Sequence, residues 1–329
     1  MKRPWLLPLV PLYAAGAALR QTWLKPKRLN WPVISVGNLS TGGTGKTPFV
    51  IALARLLSHS GFHVDVLSRG YGRLGASVER VDTAGTSERF GDEPLLIARE
   101  AGVPVYVGAR RWEAGRLAEL VSSQTAVHLL DDGFQHRQLL RDIDVVLINS
   151  EDLKDRSLPA GNLREGVRSL HRATVLAIPV GDDAAVTQLR KWGRKWDFDQ
   201  PVWRFRREMD TPTVSGPVVA FCGIARPEQF LSGLELNGVR IAARHVFPDH
   251  HRFRAADLEL LRRLAKDSGA VGLVTTAKDR VRLGNLGVEL ERLAPLHTAG
   301  LRVVIEDEAA VTAWLVNRLT DRKDRLTAR

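Results

Sequence analysis

The sequence predicts an α/β fold: a mostly parallel sheet flanked by helices, with a second, smaller α/β domain behind it. Three observations carry this. The stretch "SVGNLSTGGTGKTPFVIALARLL" (35–57) reads as an apolar strand, a glycine-dense loop and an apolar helix in immediate succession. Continuous apolar runs then recur at 62–68, 103–108, 126–135, 142–150 and 173–180, as parallel strands covered on both faces require. Around 201–216, clustered charges with Pro201, Pro212 and Gly216 interrupt the rhythm before "PVVAFCGIA" (217–225) restarts it.

The expected organisation is therefore an N-terminal apolar segment over 1–28, a core over 29–200, a linker over 201–216 and a second domain over 217–329. Pro48 falls in the first turn of the helix after the glycine loop, where its missing N–H costs nothing, and Gly61 ends that helix. The strand at 62–68 completes a β-α-β unit. "RRWEAGRLAELVSS" (110–123) reads as an amphipathic helix. In the second domain the expected order is helix 226–236, strand 239–247, helix 255–267 and strand 270–276. "LRVVIED" and the helix "EAAVTAWLVNRL" close the chain, and this last helix could pack back on the core. "TDRKDRLTAR" reads as a frayed, charged tail.

With 329 residues, 44 % of them apolar, the chain is long enough for two such domains. A single cysteine, Cys222, excludes an internal disulfide, suits a reducing compartment and reads as core filler. The balance of 48 basic against 37 acidic side chains gives a net charge of +11, which favours anionic partners. No nucleic-acid recognition motif accompanies that charge, so a nucleic-acid partner is not expected, and no obligate protein partner is evident.

The start, "MKRPWLLPLVPLYAAGAALRQTWLKPKR", is uncharged between Arg3 and Arg20. That is shorter than the roughly 20 apolar residues a spanning helix needs. Pro4, Pro8 and Pro11 interrupt it, and Arg20, Lys25, Lys27 and Arg28 follow. Trp5, Tyr13 and Trp23 suit headgroup depth. A secretory signal or a buried core helix are the alternatives. A signal would export a chain whose next segment calls for a nucleotide, so an interfacial anchor on the cytoplasmic face is preferred.

The glycine loop makes the core P-loop NTPase-like. Thr41, Gly42, Gly43, Thr44, Gly45, Lys46, Thr47 and Pro48 form the expected ATP cradle. Inward backbone N–H groups, the Lys46 charge and the helix N-terminus receive the phosphates, and the Thr47 hydroxyl receives Mg²⁺. Ser40 stands where the strict pattern has its first glycine, with Gly42 and Gly43 left to supply the turn. In "HLLDDGFQH", Asp131 and Asp132 end an apolar strand, where a carboxylate holds the metal of such a loop. In "RFGDEPLLIAR", Asp92 and Glu93 read either as the acidic first turn of a helix or as groups facing the phosphates. In the second case Asp92 takes the proton of an acceptor hydroxyl. "FPDHHRF" (247–253) makes a poor zinc site; it is a surface turn or offers a histidine to a carboxylate across the interdomain cleft.

Taken together, "SVGNLSTGGTGKTP", "LSRGYGR", "GDEP", "VGARR", "LLDDGFQH", "LPAGNLRE", "FPDHHRF" and "VTTAKD" resemble one family, the tetraacyldisaccharide 4'-kinases of lipid A biosynthesis. The resemblance runs in this order from 35 to 279. It implies transfer of the ATP γ-phosphoryl to the 4'-hydroxyl of an acylated disaccharide 1-phosphate at the cytoplasmic face of the bacterial inner membrane. Residue by residue, it implies Lys46 on the phosphates, Thr47, Asp131, Asp132 and Glu93 around Mg²⁺, and Asp92 as base with His250 orienting it. It further implies Tyr71, Arg73, Arg111, Asn162 and Arg164 as the substrate-binding set. "VTTAKD" receives no role.

A membrane-associated P-loop ATPase switch of the partitioning type is the rival. Its loop carries a signature lysine where Thr41 stands here, which argues against it.

Overall fold

The computed structural model describes residues 3–22, 25–42, 45–196 and 199–327. Gly43 and Thr44, two of the expected loop residues, lie outside the described residues, as does Trp23.

Twelve strands form one hydrogen-bonded sheet: β1 (Val33–Asn38), β2 (Val64–Ser68), β3 (Glu79–Arg80), β4 (Val105–Val107), β5 (Val127–Asp131), β6 (Ile143–Leu147), β7 (Val175–Pro179), β8 (Val202–Asp210), β9 (Val218–Cys222), β10 (Ile241–Val246), β11 (Gly272–Thr276) and β12 (Leu296–Ile305). Their order is β10-β9-β11-β12-β8-β7-β6-β1-β5-β2-β4-β3. All pairings are parallel except β3 with β4 and β8 with β12. The strands β1, β2, β5 and β6 are buried at every position, as their mostly apolar sequences demand, and the polar residues they carry are buried with them.

β1 lies between β5 and β6, and Val36 is in register with Asp131. The loop after β1 and the acidic end of β5 are therefore neighbours by sheet register alone. At Gly37 the sheet needs glycine: a Cβ there would sit 2.6 Å from the Phe134 Cβ, so the "DDGF" turn can close over β1 only if none is present.

The expected linker is corrected by the structure. Most of it is β8, which pairs with β7 on one side and runs antiparallel to β12 on the other. Trp203 and Phe205 alternate inward with period two, and this apolar pair outweighs the charges around it. Phe205 meets Phe49 of the loop helix Lys46–His59 edge-on, with ring centroids 5.4 Å apart. Trp203 likewise meets Trp314 of the last helix at 5.6 Å. Val311, Leu315 and Leu319 of that helix join the same core cluster as the loop helix. The tail is also corrected: the helix Glu308–Thr327 runs through most of the segment expected to fray.

The second half has its own apolar clusters, one on each face of β9 and β11. Cys222 is buried in one of them, and burial followed by the nearby Asp279 charge pushes its thiol up to about 12. At the other end, the 3₁₀ helix Pro4–Leu9 contains no buried residue and leads into the helix Val10–Thr22. Trp5 is 72 % and Leu12 71 % exposed, which does not support the alternative of a buried core helix. Among the described residues no helix is long and apolar enough to cross a membrane. The segment is tied down at its start, where the Arg3 N–H donates to the Ala160 carbonyl at 2.8 Å.

Candidate active site

The phosphate loop is held by its surroundings. Asn38, at the end of β1, donates to the Ser40 carbonyl at 2.8 Å and accepts from Lys46 Nζ at 3.0 Å. Ser40 is buried and bridged to Leu163, which explains how the loop turns without glycine at this position. Thr41 donates its N–H to the Asn162 carbonyl at 2.8 Å, and the Arg164 N–H donates to the Leu39 carbonyl at 2.7 Å. Gly45 caps the loop helix with φ +81, a conformation that favours glycine, and Gly42 also has positive φ. Thr47 is buried in the first turn of the helix, and Pro48 follows it there.

Beside the loop, Lys46 Nζ lies 3.5 Å from Asp132, which is also bonded by Arg164 Nη1 at 2.8 and 2.9 Å. Asp131 is buried and accepts from Ser68 Oγ at 3.0 Å. Burial, then the charges of Glu93 and Asp132, push Asp131 up to about 7. Asp132 stays below the usual range: burial opposes this, but Lys46 and Arg164 outweigh it.

Mg²⁺ prefers one or two carboxylates together with phosphate and water oxygens. A buried hydroxyl at Thr47 and a carboxylate at Asp131 whose like-charged neighbours raise its proton affinity fit that demand. Among the described residues, no three His, Cys, Asp or Glu side chains converge as a ready-made metal cage.

The second cluster is built from both halves of the chain. Asp92 opens the helix Asp92–Ala101, and Gly91 before it has φ +89. Instead of capping this helix, the Asp92 carboxylate reaches across to the second half. Its Oδ2 lies 3.0 Å from His250 Nδ1, 2.7 Å from Arg282 Nε and 2.6 Å from Arg282 Nη2. Burial raises its affinity for a proton, but the His250 hydrogen bond and the Arg282 charge more than offset this and hold Asp92 well below the usual carboxylate range. His250 is shifted upward, first by its hydrogen bond to Asp92, against burial. It sits at φ +59, held by its N–H to the Gly223 carbonyl at 3.2 Å. Next to it, His251 stacks on Phe247 and bonds Asp257 at 2.9 Å, so the pair divides into one outward and one structural histidine.

Glu93 is paired with Lys278 at 2.6 Å, while its charge also reaches Asp131. The two clusters are thus neighbours. Tyr71 is exposed and its ring meets His250 edge-on at 5.9 Å. Arg111 is buried; burial and the Arg69 charge bring it down to about 10 against the pull of Asp132 and Asp131. His136, close to the same arginines, is pulled down to about 3 by burial, Arg111, Arg141 and Arg69.

Three expected substrate residues have other partners. Arg164 spends its guanidinium on Asp132. Arg73 donates to the Ser77 carbonyl at 2.6 Å and lies 3.7 Å from Glu79. Asn162 turns its amide to Asp155 at 3.0 Å while its carbonyl braces the loop. Arg282 was not foreseen from the sequence. The one available signal is its position three residues after Asp279, on the helix that follows "VTT".

A parallel sheet with a phosphate loop after β1, an acidic β5 end beside it and an aspartate–histidine pair next to the Glu93 that acts on that end defines a P-loop phosphotransferase class of protein. The chain belongs to the tetraacyldisaccharide-1-P 4'-kinase family, whose model matches residues 2–320. It is 40 % identical to the tetraacyldisaccharide 4'-kinase of Koribacter versatilis (strain Ellin345) over 331 residues, covering 96 % of this chain and 99 % of that one. It is 36 % identical to the protein of the same name in Dechloromonas aromatica (strain RCB), over 96 % of this chain and 91 % of that one. The crystal structure of LpxK from Aquifex aeolicus in complex with ATP is similar at a TM-score of 0.74 and 32 % identity, covering 95 % of this chain and 98 % of that one.

Proposed function

We propose that the protein transfers the γ-phosphoryl group of ATP to the 4'-hydroxyl of an acylated glucosamine disaccharide 1-phosphate, a step of lipid A biosynthesis. The observation that carries this reading is the Asp92–His250 contact, which spans 158 positions of sequence; Asp92 immediately precedes Glu93, whose charge acts on Asp131. A sugar hydroxyl is a poor nucleophile, and a base within reach contributes roughly 10²–10⁴-fold.

In this reading Lys46, the loop N–H groups and the helix N-terminus receive the β- and γ-phosphates, and Thr47 and Asp131 hold Mg²⁺. The metal supplies charge neutralisation on the phosphates. Asp132, fixed between Lys46 and Arg164, keeps the lysine aimed. The acceptor oxygen forms its bond to the γ-phosphorus as the bond to the β,γ-bridging oxygen breaks. The electron pair leaves with ADP and the hydroxyl proton passes to Asp92. Because Asp92 is a weak base, the proton moves late, when bond formation has made the hydroxyl acidic. His250 orients the carboxylate. Arg111 and Tyr71 face the substrate, whereas Arg73 and Asn162 brace the loops that present it.

The uncovered apolar N-terminal helices, anchored beside the loop that braces the phosphate site, suit an interfacial helix on the cytoplasmic face of the inner membrane, where an acylated substrate is reached. The test is incubation with γ-labelled ATP and acylated disaccharide 1-phosphate. A labelled, bisphosphorylated lipid is expected, and ATP turnover without labelled lipid would favour the ATPase-switch rival. Removal of residues 1–20 is expected to abolish pelleting with anionic lipid vesicles, and undiminished pelleting would refute the anchor.

A further inference from the structure

The segment "VTTAKD" has no place in the chemistry above, yet it begins a continuous chain of contacts that ends on Asp92. Thr276 caps the helix Ala277–Leu283 and its hydroxyl bonds Asp279 Oδ2 at 2.7 Å. The same Oδ2 accepts the Gly223 N–H at 3.0 Å. Asp279 Oδ1 then accepts from Arg282 Nη1 at 2.8 Å, and that nitrogen also donates to the Gly223 carbonyl at 2.5 Å. With Nη1 fixed twice, the other edge of the planar guanidinium meets Asp92 Oδ2 through Nε and Nη2. Asp279 and Arg282 are both buried.

Two features of this arrangement bear on function. The Gly223 carbonyl receives both Arg282 and the backbone N–H of His250, so one atom sets both groups that touch the carboxylate. All three of those contacts fall on Oδ2. Oδ1 has no hydrogen-bond partner among the described residues, so the clamp leaves a single, aimed oxygen for an acceptor hydroxyl. The other charged groups of this helix are engaged elsewhere: Lys278 with Glu93 and Arg280 with Glu291.

We propose that Arg282, anchored by Asp279 and Gly223, is a positioning residue that fixes Asp92 Oδ2 and thereby presents Oδ1 to the sugar hydroxyl. The Thr276–Asp279–Arg282 arm is the means by which the second half of the chain assembles the base of the first. This rests on the reading of Asp92 as the base. Misplacing a reacting group by about 1 Å costs on the order of 10²-fold in rate, which sets the expected scale.

The experiment measures lipid phosphorylation by Arg282→Gln and Arg282→Lys in the otherwise native protein and in an Asp92→Asn background, with ATP-analogue binding measured alongside. Arg282→Gln is expected to lower kcat by roughly 10–10²-fold with KM for ATP within about threefold. Arg282→Lys, which keeps a charged donor, is expected to recover part of the loss. In the Asp92→Asn background Arg282→Gln is expected to change the residual rate by less than about twofold, because the two residues act as one unit. Asp279→Asn removes the anchor but keeps the guanidinium, and should behave as a milder Arg282→Gln; it and Arg282→Lys decide by the same criteria if Arg282→Gln is recovered unfolded. An equal fall in both backgrounds, or native kcat in Arg282→Gln, overturns the proposal. Near-native activity of Asp92→Asn alone removes the base reading and the proposal with it, and is recognised separately because it needs no change at Arg282.

Discussion

The phosphate side and the base side of this site are built in different ways. Lys46, Thr47, Asp131 and Asp132 come from two short motifs that β1 and β5 bring together through neighbouring register. Asp92, His250 and Arg282 meet across 158 and 190 positions of sequence, from elements on opposite sides of the β8–β12 junction. The first arrangement follows from local geometry: a strand end, a tight turn and a helix N-terminus. The second exists only while the two halves of the sheet are packed against each other. Nucleotide binding and phosphoryl transfer should therefore respond differently to changes at the junction.

The largest effect is expected from Phe205→Ala. It removes a fully buried ring that joins β8 to the loop helix, and should cost about 3–5 kcal/mol of stability. Denaturant unfolding checks it, and a loss below about 1 kcal/mol would mean that the junction is not carried by this contact. Lys46→Ala comes next. It should lower kcat/KM by roughly 10²–10³-fold through the phosphate side alone, with the fold unchanged by circular dichroism.

His250→Ala, on the base side, should lower kcat by about tenfold or more while leaving ATP-analogue affinity in place. His251→Ala should do the reverse of a catalytic variant, lowering the melting temperature with little change in rate, since its partners are Phe247 and Asp257. Equal rate losses for the two would erase the distinction between them.

The smallest effect lies away from both sides. His128 is buried against Asp65 at 2.6 Å. Burial opposes its charge, but the hydrogen bond to Asp65 and the charges of Asp65 and of Glu119, 3.7 Å away, prevail and lift it to about 8. A histidine raised in the folded state contributes its stability fully below its unfolded value of 6.5 and loses it as pH rises through about 8. Stability should thus fall by on the order of 1 kcal/mol between about pH 6 and 9. His128→Asn should flatten that slope.

Much of the phosphate side was legible because glycine, lysine and acidic residues at fixed spacing have few other physical uses. His250 was legible as a histidine in search of a carboxylate, although which neighbour it met depended on the fold. Arg282 was not, because an arginine on an amphipathic helix usually faces solvent, and only the packing of that helix against Asp92–Ala101 buries it. β8 was obscured by its charges: Trp203 and Phe205 were the two residues that mattered, among seven others. Arg73 and Asn162 carried motif positions suited to substrate, but their nearest polar partners lie within their own loops. The tail conceals its helix in a similar way. Its charges allow a helix as readily as a frayed end, and Val311, Leu315 and Leu319 upstream supply the packing that continues it.

The most direct measurement is made on Asp92→Asn: equilibrium binding of a non-hydrolysable ATP analogue, and transfer of label from γ-labelled ATP to acylated disaccharide 1-phosphate, in the same preparation. The account predicts analogue affinity within about threefold of the native protein and lipid phosphorylation lower by at least roughly 10²-fold. Lipid labelled at close to the native rate, or analogue binding lost together with transfer, would contradict it.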